Sequence, residues 1–176
     1  MRALYHLAAA LLLALGLSAP AAAELSVGDR APNFATKAAL SGEEYGFTLR
    51  AALRRGPVVL YFYPKAFTSG CTLEANAFAE AIGDFKAAGA SVIGMSNDDI
   101  ETLQRFSREE CRDAFPVGVA GGDILTAYDV ARPGSSFARR TSYVIGQEGR
   151  IAFVYSNSDW RGHVRETLAA VRALSQ

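Results

Sequence analysis

The feature that most constrains the fold is a continuous apolar run, Val58 to Tyr63, that leads through a turn into a helical pattern. Six successive β-branched, aromatic and aliphatic residues are typical of a strand buried on both faces. Pro64 and the Ser69-Gly70 pair then interrupt the run. From Cys71 onward the apolar residues recur at helical spacing, and Gly89 closes the helix. The stretch therefore predicts a strand, a turn, and a helix that begins near a cysteine.

The rest of the chain alternates in the same way and predicts an α/β sandwich with helices on both faces of a mixed, mostly parallel central sheet. A late hairpin at Gln147-Glu148-Gly149 should add antiparallel strands. Besides the run above, the predicted strands are Tyr45–Leu49, Ser91–Ser96, Phe115–Val119, Thr141–Ile145 and Arg150–Tyr155, and the predicted helices are Ile100–Cys111, a short turn from Gly121, and Trp160–Leu174.

The N-terminus has the pattern of a secretory signal peptide. Arg2 precedes eleven apolar residues from Leu7 to Leu17, Pro20 ends them, and Ala21-Ala22-Ala23 matches a cleavage site. A membrane-spanning helix needs about 20 apolar residues, so this run is too short to cross a bilayer. We therefore expect residues 1–23 to be cleaved. Residues 24–176 should form a single domain, exported to the periplasm or secreted.

Charge and residue types narrow the function classes. The chain has 18 basic and 18 acidic residues, and removal of the segment with Arg2 leaves 17 against 18. This near balance predicts neither a nucleic-acid partner nor a membrane partner. No clustered histidines or carboxylates suggest a metal site, so no metal or cofactor is expected. His163 is expected to be a surface or packing residue.

The two cysteines, Cys71 and Cys111, allow two interpretations. In an exported protein they could form one structural disulfide, which composition alone favours. The position of Cys71 favours a reactive thiol, because the unpaired N–H groups of a helix N-terminus stabilise a thiolate. Gly70 allows close backbone approach, the Thr68 hydroxyl precedes the sulfur by three residues, and Pro64 lacks an N–H and would shield one side of a pocket.

The spacing Pro64-x-x-x-Thr68-x-x-Cys71, followed by Glu74, resembles the active-site pattern of peroxiredoxins, in particular the peroxiredoxin Q or bacterioferritin comigratory type. The similarity extends from "GDRAPNF" through "VIGMSND" to "RRTSYVIGQEGRI". It implies a thioredoxin-like three-layer fold and reduction of hydrogen peroxide or organic hydroperoxides. Cys71 would be the nucleophile that becomes a sulfenic acid.

The resemblance also implies roles for neighbours of the nucleophile. The Thr68 hydroxyl would align the peroxide with the thiolate. An arginine two residues before a Ser or Thr would stabilise charge at the sulfur and at the leaving oxygen. Arg140 fits this spacing and Arg139 is the alternative. Glu74 would orient the arginine.

The sequence indicates less clearly how the Cys71 sulfenic acid is resolved in the second half of the reaction. Many relatives of the Q type carry a second cysteine five residues after the first, where this chain has Asn76. Some use a cysteine of a later helix, which makes Cys111 the expected resolving thiol, with a one-cysteine mechanism as the alternative. The resemblance further implies a thioredoxin-like reductant and a monomer.

Two other functions fit parts of the pattern. A thiol–disulfide oxidoreductase would share the fold, but it normally carries Cys-x-x-Cys, and Glu74 stands at the matching position after Cys71. A non-catalytic domain stapled by Cys71 and Cys111 would consume no peroxide. An assay of the reduced protein with hydrogen peroxide separates the three.

Overall fold

A computed structural model describes residues 25–174, which build one seven-stranded sheet flanked by five helices. The predicted signal peptide, residues 1–23, lies outside the described residues. The strands are β1 (Ala35–Leu40), β2 (Glu43–Thr48), β3 (Val58–Phe62), β4 (Ser91–Ser96), β5 (Val117–Val119), β6 (Thr141–Ile145) and β7 (Ile151–Ser156), and the helices are α1 (Leu49–Leu53), α2 (Ser69–Ala87), α3 (Ile100–Glu109), α4 (Gly122–Ala127) and α5 (Arg161–Leu174).

The sheet has the order β2-β1-β5-β4-β3-β6-β7. Of the six pairings among these strands, only β3 with β4 and β4 with β5 are parallel. The mixed sheet is confirmed, but the expectation that it is mostly parallel is wrong. The cause is the N-terminal hairpin of β1 and β2, which adds one antiparallel pairing within itself and another between β1 and β5.

β3 divides the core in two, because its side chains alternate between the faces of the sheet. Val58, Leu60 and Phe62 join a cluster that packs against α1 and α4. Val59 and Tyr61 join the opposite cluster, which packs against α2, α3 and α5. Helices therefore cover both faces, as predicted.

The second cluster depends on close contact at Tyr61. Its ring stacks on Phe78 of α2 with centroids 4.3 Å apart. The same ring lies over Gly94, the residue of β4 that pairs with Tyr61. A Cβ added at Gly94 would come within 2.7 Å of the tyrosine ring. Only glycine leaves room there for the tyrosine. The aromatic packing that anchors α2 to the sheet thus depends on the absence of a side chain at position 94.

α3 begins at Ile100, as the sequence predicts, but ends earlier than predicted. Asp99 caps its N-terminus and accepts a hydrogen bond from Thr102 N at 2.7 Å, as the sequence indicates. The helix stops at Glu109, however, so Cys111 lies beyond its end and not within it. The Cys111 N–H donates to the Phe106 carbonyl across the end of the helix, a six-residue closure typical of helix C-termini.

Across residues 25–174, no helix combines the length and the apolar character needed to cross a membrane.

Candidate active site

Cys71 lies in the first turn of α2, directly after the carboxyl end of β3. Thr68 occupies the N-cap position with extended backbone angles, and its carbonyl accepts from Thr72 N at 2.8 Å. Phe67, just before it, has a φ of 62°. The turn thus reverses the chain in a few residues and leaves Cys71 as the third residue of the helix. Only 2% of the Cys71 surface is exposed.

Arg140 reaches this turn because of the register between β3 and β6. Phe62, at the end of β3, pairs with Thr141, at the start of β6, so the residue before β6 lies beside the turn. The Arg140 Nη2 lies 3.4 Å from Cys71 Sγ. Its Nε donates to the Ser158 carbonyl at 3.2 Å, and Nη1 forms an ion pair with Glu74 Oε2. The guanidinium is therefore held on three sides.

Arg139 points elsewhere. Its guanidinium pairs with Asp129 Oδ2 at 3.0 Å, and its side chain is 45% exposed, against 8% for Arg140. Arg140, in contrast, lies against Gly70: a Cβ added at this glycine would be 3.4 Å from Arg140 Nη2. Of the two arginines that the sequence left as alternatives, the structure brings Arg140 to the sulfur.

Glu74 supports the arginine from a fully buried position. Burial raises the pKa of its carboxyl to about 8, although the neighbouring Arg140 favours the ionised form. Its Oε2 binds Arg140, whereas Oε1 has no hydrogen-bond partner among the described residues. His163 Nδ1 lies 3.8 Å from Oε1. The second oxygen thus faces a polar side chain without bonding to it.

His163 is buried next to Glu74. The sequence left it as either a surface residue or a packing residue, and its burial agrees only with packing. Its Nε2 lies 3.0 Å from the Asn157 carbonyl, which can only accept, so Nε2 carries the hydrogen. Nδ1 then accepts from the Ser142 hydroxyl at 2.7 Å. Burial lowers the pKa of His163 to about 4, so the ring is neutral near pH 7.

A cavity of about 410 Å³ opens beside the arginine. Pro64 and Arg140 line it, together with residues of the loops before β6 and after β7. The Thr68 hydroxyl donates to the Lys65 carbonyl at 2.9 Å, so its hydrogen is engaged and its lone pairs are left for a hydrogen-bond donor. Pro64 and Thr68 therefore flank the same turn as Cys71, as their spacing predicts.

Cys111 lies in the same apolar cluster as Cys71 but in a different electrostatic setting. Both are free thiols, and Cys111 is fully buried. Burial, followed by the carboxylates of Glu110 and Asp113, raises the pKa of the Cys111 thiol well above its ordinary value. Within residues 25–174, no group of three or more His, Cys, Asp or Glu side chains could hold a metal ion.

Comparison with known proteins matches this geometry to a family. The AhpC/TSA family matches residues 27–154, which include Cys71 and Arg140. The chain belongs to this family. Among its relatives, chloroplastic peroxiredoxin Q of Triticum aestivum is 32% identical over 156 residues, covering 86% of this chain and 69% of that protein. A putative peroxiredoxin of Mycobacterium tuberculosis is 33% identical over 147 residues, covering 80% and 90%.

Solved structures agree with the fold. The peroxidoxin BcpB of Mycobacterium tuberculosis superposes with a TM-score of 0.76 at 30% identity, covering 85% of this chain and 98% of that one. Peroxiredoxin Q of Xanthomonas campestris gives 0.69 at 30% identity, covering 80% and 91%. The thioredoxin-like fold is confirmed. The protein is a thiol peroxidase of the peroxiredoxin Q type, with a peroxide as substrate and a thiol as reductant.

The sequence did not assign Ser142 and His163 to the site. A signal was present for the histidine: His163, Thr167 and Val171 recur every four residues along α5, and all three are buried. Such spacing marks the inner stripe of a helix. Their proximity to Glu74 depends on how α5 packs across β6, which no local pattern encodes.

Proposed function

We propose that Cys71 is the peroxidatic nucleophile and that Arg140 is the cation that activates it. The observation that carries this proposal is the 3.4 Å separation of Arg140 Nη2 and Cys71 Sγ at the N-terminus of α2. The guanidinium and the helix N-terminus both favour the thiolate over the neutral thiol. The thiolate attacks one peroxide oxygen, an S–O bond forms and the O–O bond breaks. The leaving oxygen departs as water or an alcohol after taking up a proton.

The remaining residues of the turn assist this displacement. Arg140 stabilises the negative charge that develops on the leaving oxygen. Glu74 fixes the orientation of Arg140 through their ion pair, and it is itself buried, so the arrangement resists solvent competition. The Thr68 hydroxyl, whose hydrogen is donated to Lys65, accepts from the peroxide O–H and aligns it with the sulfur. Pro64 offers no N–H that would compete for the peroxide.

We propose that the substrate range includes organic hydroperoxides as well as hydrogen peroxide. The cavity of about 410 Å³ beside Arg140 has room for an organic substituent. A structural study of the bacterioferritin comigratory protein of Xanthomonas campestris, 30% identical to this chain, concerns alkyl peroxide reduction by that protein. Comparison of kcat/KM for hydrogen peroxide and for cumene hydroperoxide tests this point.

Cys111 is proposed as the resolving thiol. It attacks the Cys71 sulfenic acid, a disulfide forms, and the sulfenic oxygen leaves as water with the proton of Cys111. A thioredoxin-like reductant then returns both thiols. The proposal is supported by the shared apolar cluster of the two cysteines, and by the sequence, which contains no third cysteine. A mass two units lower after one equivalent of peroxide tests it.

The proposed setting is outside the cytoplasm, with the enzyme as a monomer. The N-terminal pattern of residues 1–23 supports export. Expression of the full chain in a bacterial host, followed by N-terminal sequencing of the periplasmic fraction, should show a mature protein that begins at Glu24. Retention of Met1 on periplasmic protein would contradict cleavage. Light scattering of the reduced protein tests the monomer.

The central experiment replaces Cys71 with Ser. A serine hydroxyl is not ionised at neutral pH, so peroxide consumption should fall below a tenth of the wild-type rate. The measurement is stopped-flow mixing of the reduced protein with hydrogen peroxide. The matched control is Cys111→Ser, which keeps Cys71 and should retain the first step. Loss of the first step in the control alone would assign the nucleophile to Cys111.

A further inference from the structure

The amide side chain of Asn76 connects α2 to both neighbours of Cys111. Asn76 Nδ2 donates to Glu110 Oε2 at 3.0 Å, and Asn76 Oδ1 accepts from Arg112. The residues immediately before and after Cys111 are therefore both held by Asn76. Glu80, one turn further along α2, forms an exposed ion pair with Arg112 at 3.3 Å.

The same amide also contacts the first turn of α2. Asn76 Nδ2 donates to the Thr72 carbonyl at 2.8 Å, and Thr72 directly follows Cys71. An amide has two N–H donors and one carbonyl acceptor, and here all of them are engaged. We call Asn76 and its three partners, Thr72, Glu110 and Arg112, the Asn76 clasp. The clasp joins the turn that carries one cysteine to the segment that carries the other.

The backbone after Cys111 needs outside support. Arg112 and Asp113 have φ angles of 51° and 57°, and two successive non-glycine residues in the left-handed region are disfavoured by steric contact of Cβ. Such conformations persist when the surroundings hold them in place. The clasp is one such restraint, and it acts next to a fully buried Cys111.

We propose that Asn76 is a positioning residue that keeps Cys111 buried in the reduced enzyme and releases it when the first turn of α2 unwinds. This inference rests on the proposed resolving role of Cys111. Unwinding displaces the Thr72 carbonyl, so Asn76 loses one of its partners and its hold on Glu110 and Arg112 loosens. The Cys111 thiol can then reach the Cys71 sulfenic acid. The disulfide forms and one water leaves.

The surroundings of the clasp allow this movement. A surface cleft of about 350 Å³ lies beside it, and its lining includes Thr72, Leu73, Asn76, Glu110, Arg112 and Trp160. Leu73 is half exposed in this cleft. The Cys111 segment therefore borders open space on the side where α2 presents its first turn.

The first test measures how well Cys111 is protected, in a Cys71→Ser background that removes the competing thiol. N-Ethylmaleimide should alkylate Cys111 about tenfold faster in Asn76→Ala than in the parent, because two side-chain hydrogen bonds that hold the segment are lost. Glu80→Gln is the matched control: it weakens the other contact of α2 with Arg112 and should change the rate less than twofold. Equal alkylation in Asn76→Ala and its parent would overturn the proposal.

The second test follows resolution in the chain with both cysteines. After one equivalent of peroxide, the ratio of the disulfide-forming rate to the first-step rate should rise about fivefold in Asn76→Ala, because release no longer waits for the clasp. Glu110→Gln keeps an acceptor oxygen for Asn76 and Glu110→Ala does not, while both remove the same carboxylate charge beside Cys111. The ratio should therefore be higher in Glu110→Ala than in Glu110→Gln, and equal ratios in this pair would contradict the proposal. This pair also serves if Asn76→Ala folds poorly.

The outcomes separate the two proposals. A lower ratio in Asn76→Ala would mean that the clasp delivers Cys111 instead of restraining it, and would overturn the inference. Faster alkylation in Asn76→Ala together with no disulfide in the wild type would overturn the resolving role of Cys111 and leave the restraint standing.

Discussion

The surroundings of Cys71 and Cys111 differ in charge although both thiols belong to one apolar cluster. Cys71 lies at a helix N-terminus, where the backbone dipole carries partial positive charge, and Arg140 adds a full one. Cys111 lies past a helix C-terminus, where the dipole is negative. Burial, followed by the carboxylates of Glu110 and Asp113, raises the pKa of its thiol. The two thiols are thus almost equally buried, but the charges around them have opposite signs.

This difference in charge supports the different tasks that we propose for the two thiols. A peroxide reacts with the thiolate, so it oxidises the cysteine whose surroundings favour that form. The surroundings of Cys111 favour the protonated thiol, which supports the proposal that it is spared direct oxidation and resolves the sulfenic acid. The order of reaction that we propose for the two thiols agrees with the opposite charges around them, and the burial of Cys111 acts in the same direction as its acidic neighbours.

The largest effect should come from removing the positive charge at Cys71. Arg140→Ala should slow sulfenic acid formation by about 10²-fold or more, the usual effect of losing one donor that stabilises developing charge. Single-turnover stopped-flow kinetics with hydrogen peroxide measures the rate. Because Glu74 would be left buried without its partner, circular dichroism of the variant should accompany the kinetics.

Arg139→Ala is the matched control, since it removes the adjacent charge that pairs with Asp129. Its rate should stay within about twofold of the wild type, as is usual for exposed ion pairs. A large loss in Arg139→Ala with a normal rate in Arg140→Ala would reverse the assignment.

A smaller effect should follow from removing the protonated thiol. Cys111→Ser should retain the first step but recycle with a thioredoxin-like reductant about tenfold more slowly, because no intramolecular disulfide protects the sulfenic acid. Over-oxidation of Cys71 to the sulfinic acid should then occur at lower peroxide, and mass spectrometry would detect it as 32 additional mass units for the two added oxygens. Equal recycling and equal over-oxidation in both proteins would instead support the one-cysteine mechanism.

The smallest effect concerns how the free energy of unfolding depends on pH through two buried side chains, His163 and Glu74. Burial lowers the pKa of His163 from 6.5 to about 4, so between these values the unfolded chain binds more protons than the folded protein. The contribution of His163 to the free energy of unfolding therefore rises with pH across this window and is complete above it. Glu74, whose pKa is raised from 4.5 to about 8, contributes the opposite slope over that range.

His163→Gln should remove the pH dependence that His163 contributes to stability and leave the opposite contribution of Glu74 uncompensated. Between about pH 4.5 and 6.5, the free energy of unfolding of the variant should fall with pH relative to the wild type, by up to about 1.4 kcal/mol per pH unit. Urea denaturation at both ends of the window measures this. Arg165→Gln, an exposed change on the same helix, is the control and should run parallel to the wild type. Parallel curves for His163→Gln would show that His163 titrates normally.

The sequence predicted the parts of this comparison that depend on local spacing. The apolar run from Val58 to Tyr63 has the pattern of a buried strand, and the residues from Cys71 onward have helical spacing, so β3, α2 and the position of the thiol followed directly. The resemblance then selected Arg140, whose proximity to Cys71 is fixed by the pairing of β3 with β6. The strand β4 was predicted to the residue for the same reason of local pattern.

What the sequence did not predict depends on contacts between distant segments. β1 escaped notice because its sequence, ATKAAL, is poor in β-branched residues; only Ala38 and Ala39 are buried, and tertiary pairing with β5 holds it. Its antiparallel placement is also why the sheet is less parallel than expected. The contact between His163 and Glu74 and the clasp at Asn76 join helices to segments far along the chain, and neither has a local signal.

The contact between Arg140 and Cys71 also has a consequence for biosynthesis. The two residues are 69 positions apart, so the thiol emerges from the ribosome well before the arginine. At about 5–20 residues per second, the delay is on the order of several seconds. During this interval the nascent chain carries Cys71 without its guanidinium, and β6, which places Arg140, does not yet exist to pair with β3. The contact between the guanidinium and the thiol can therefore form only after most of the polypeptide has been translated.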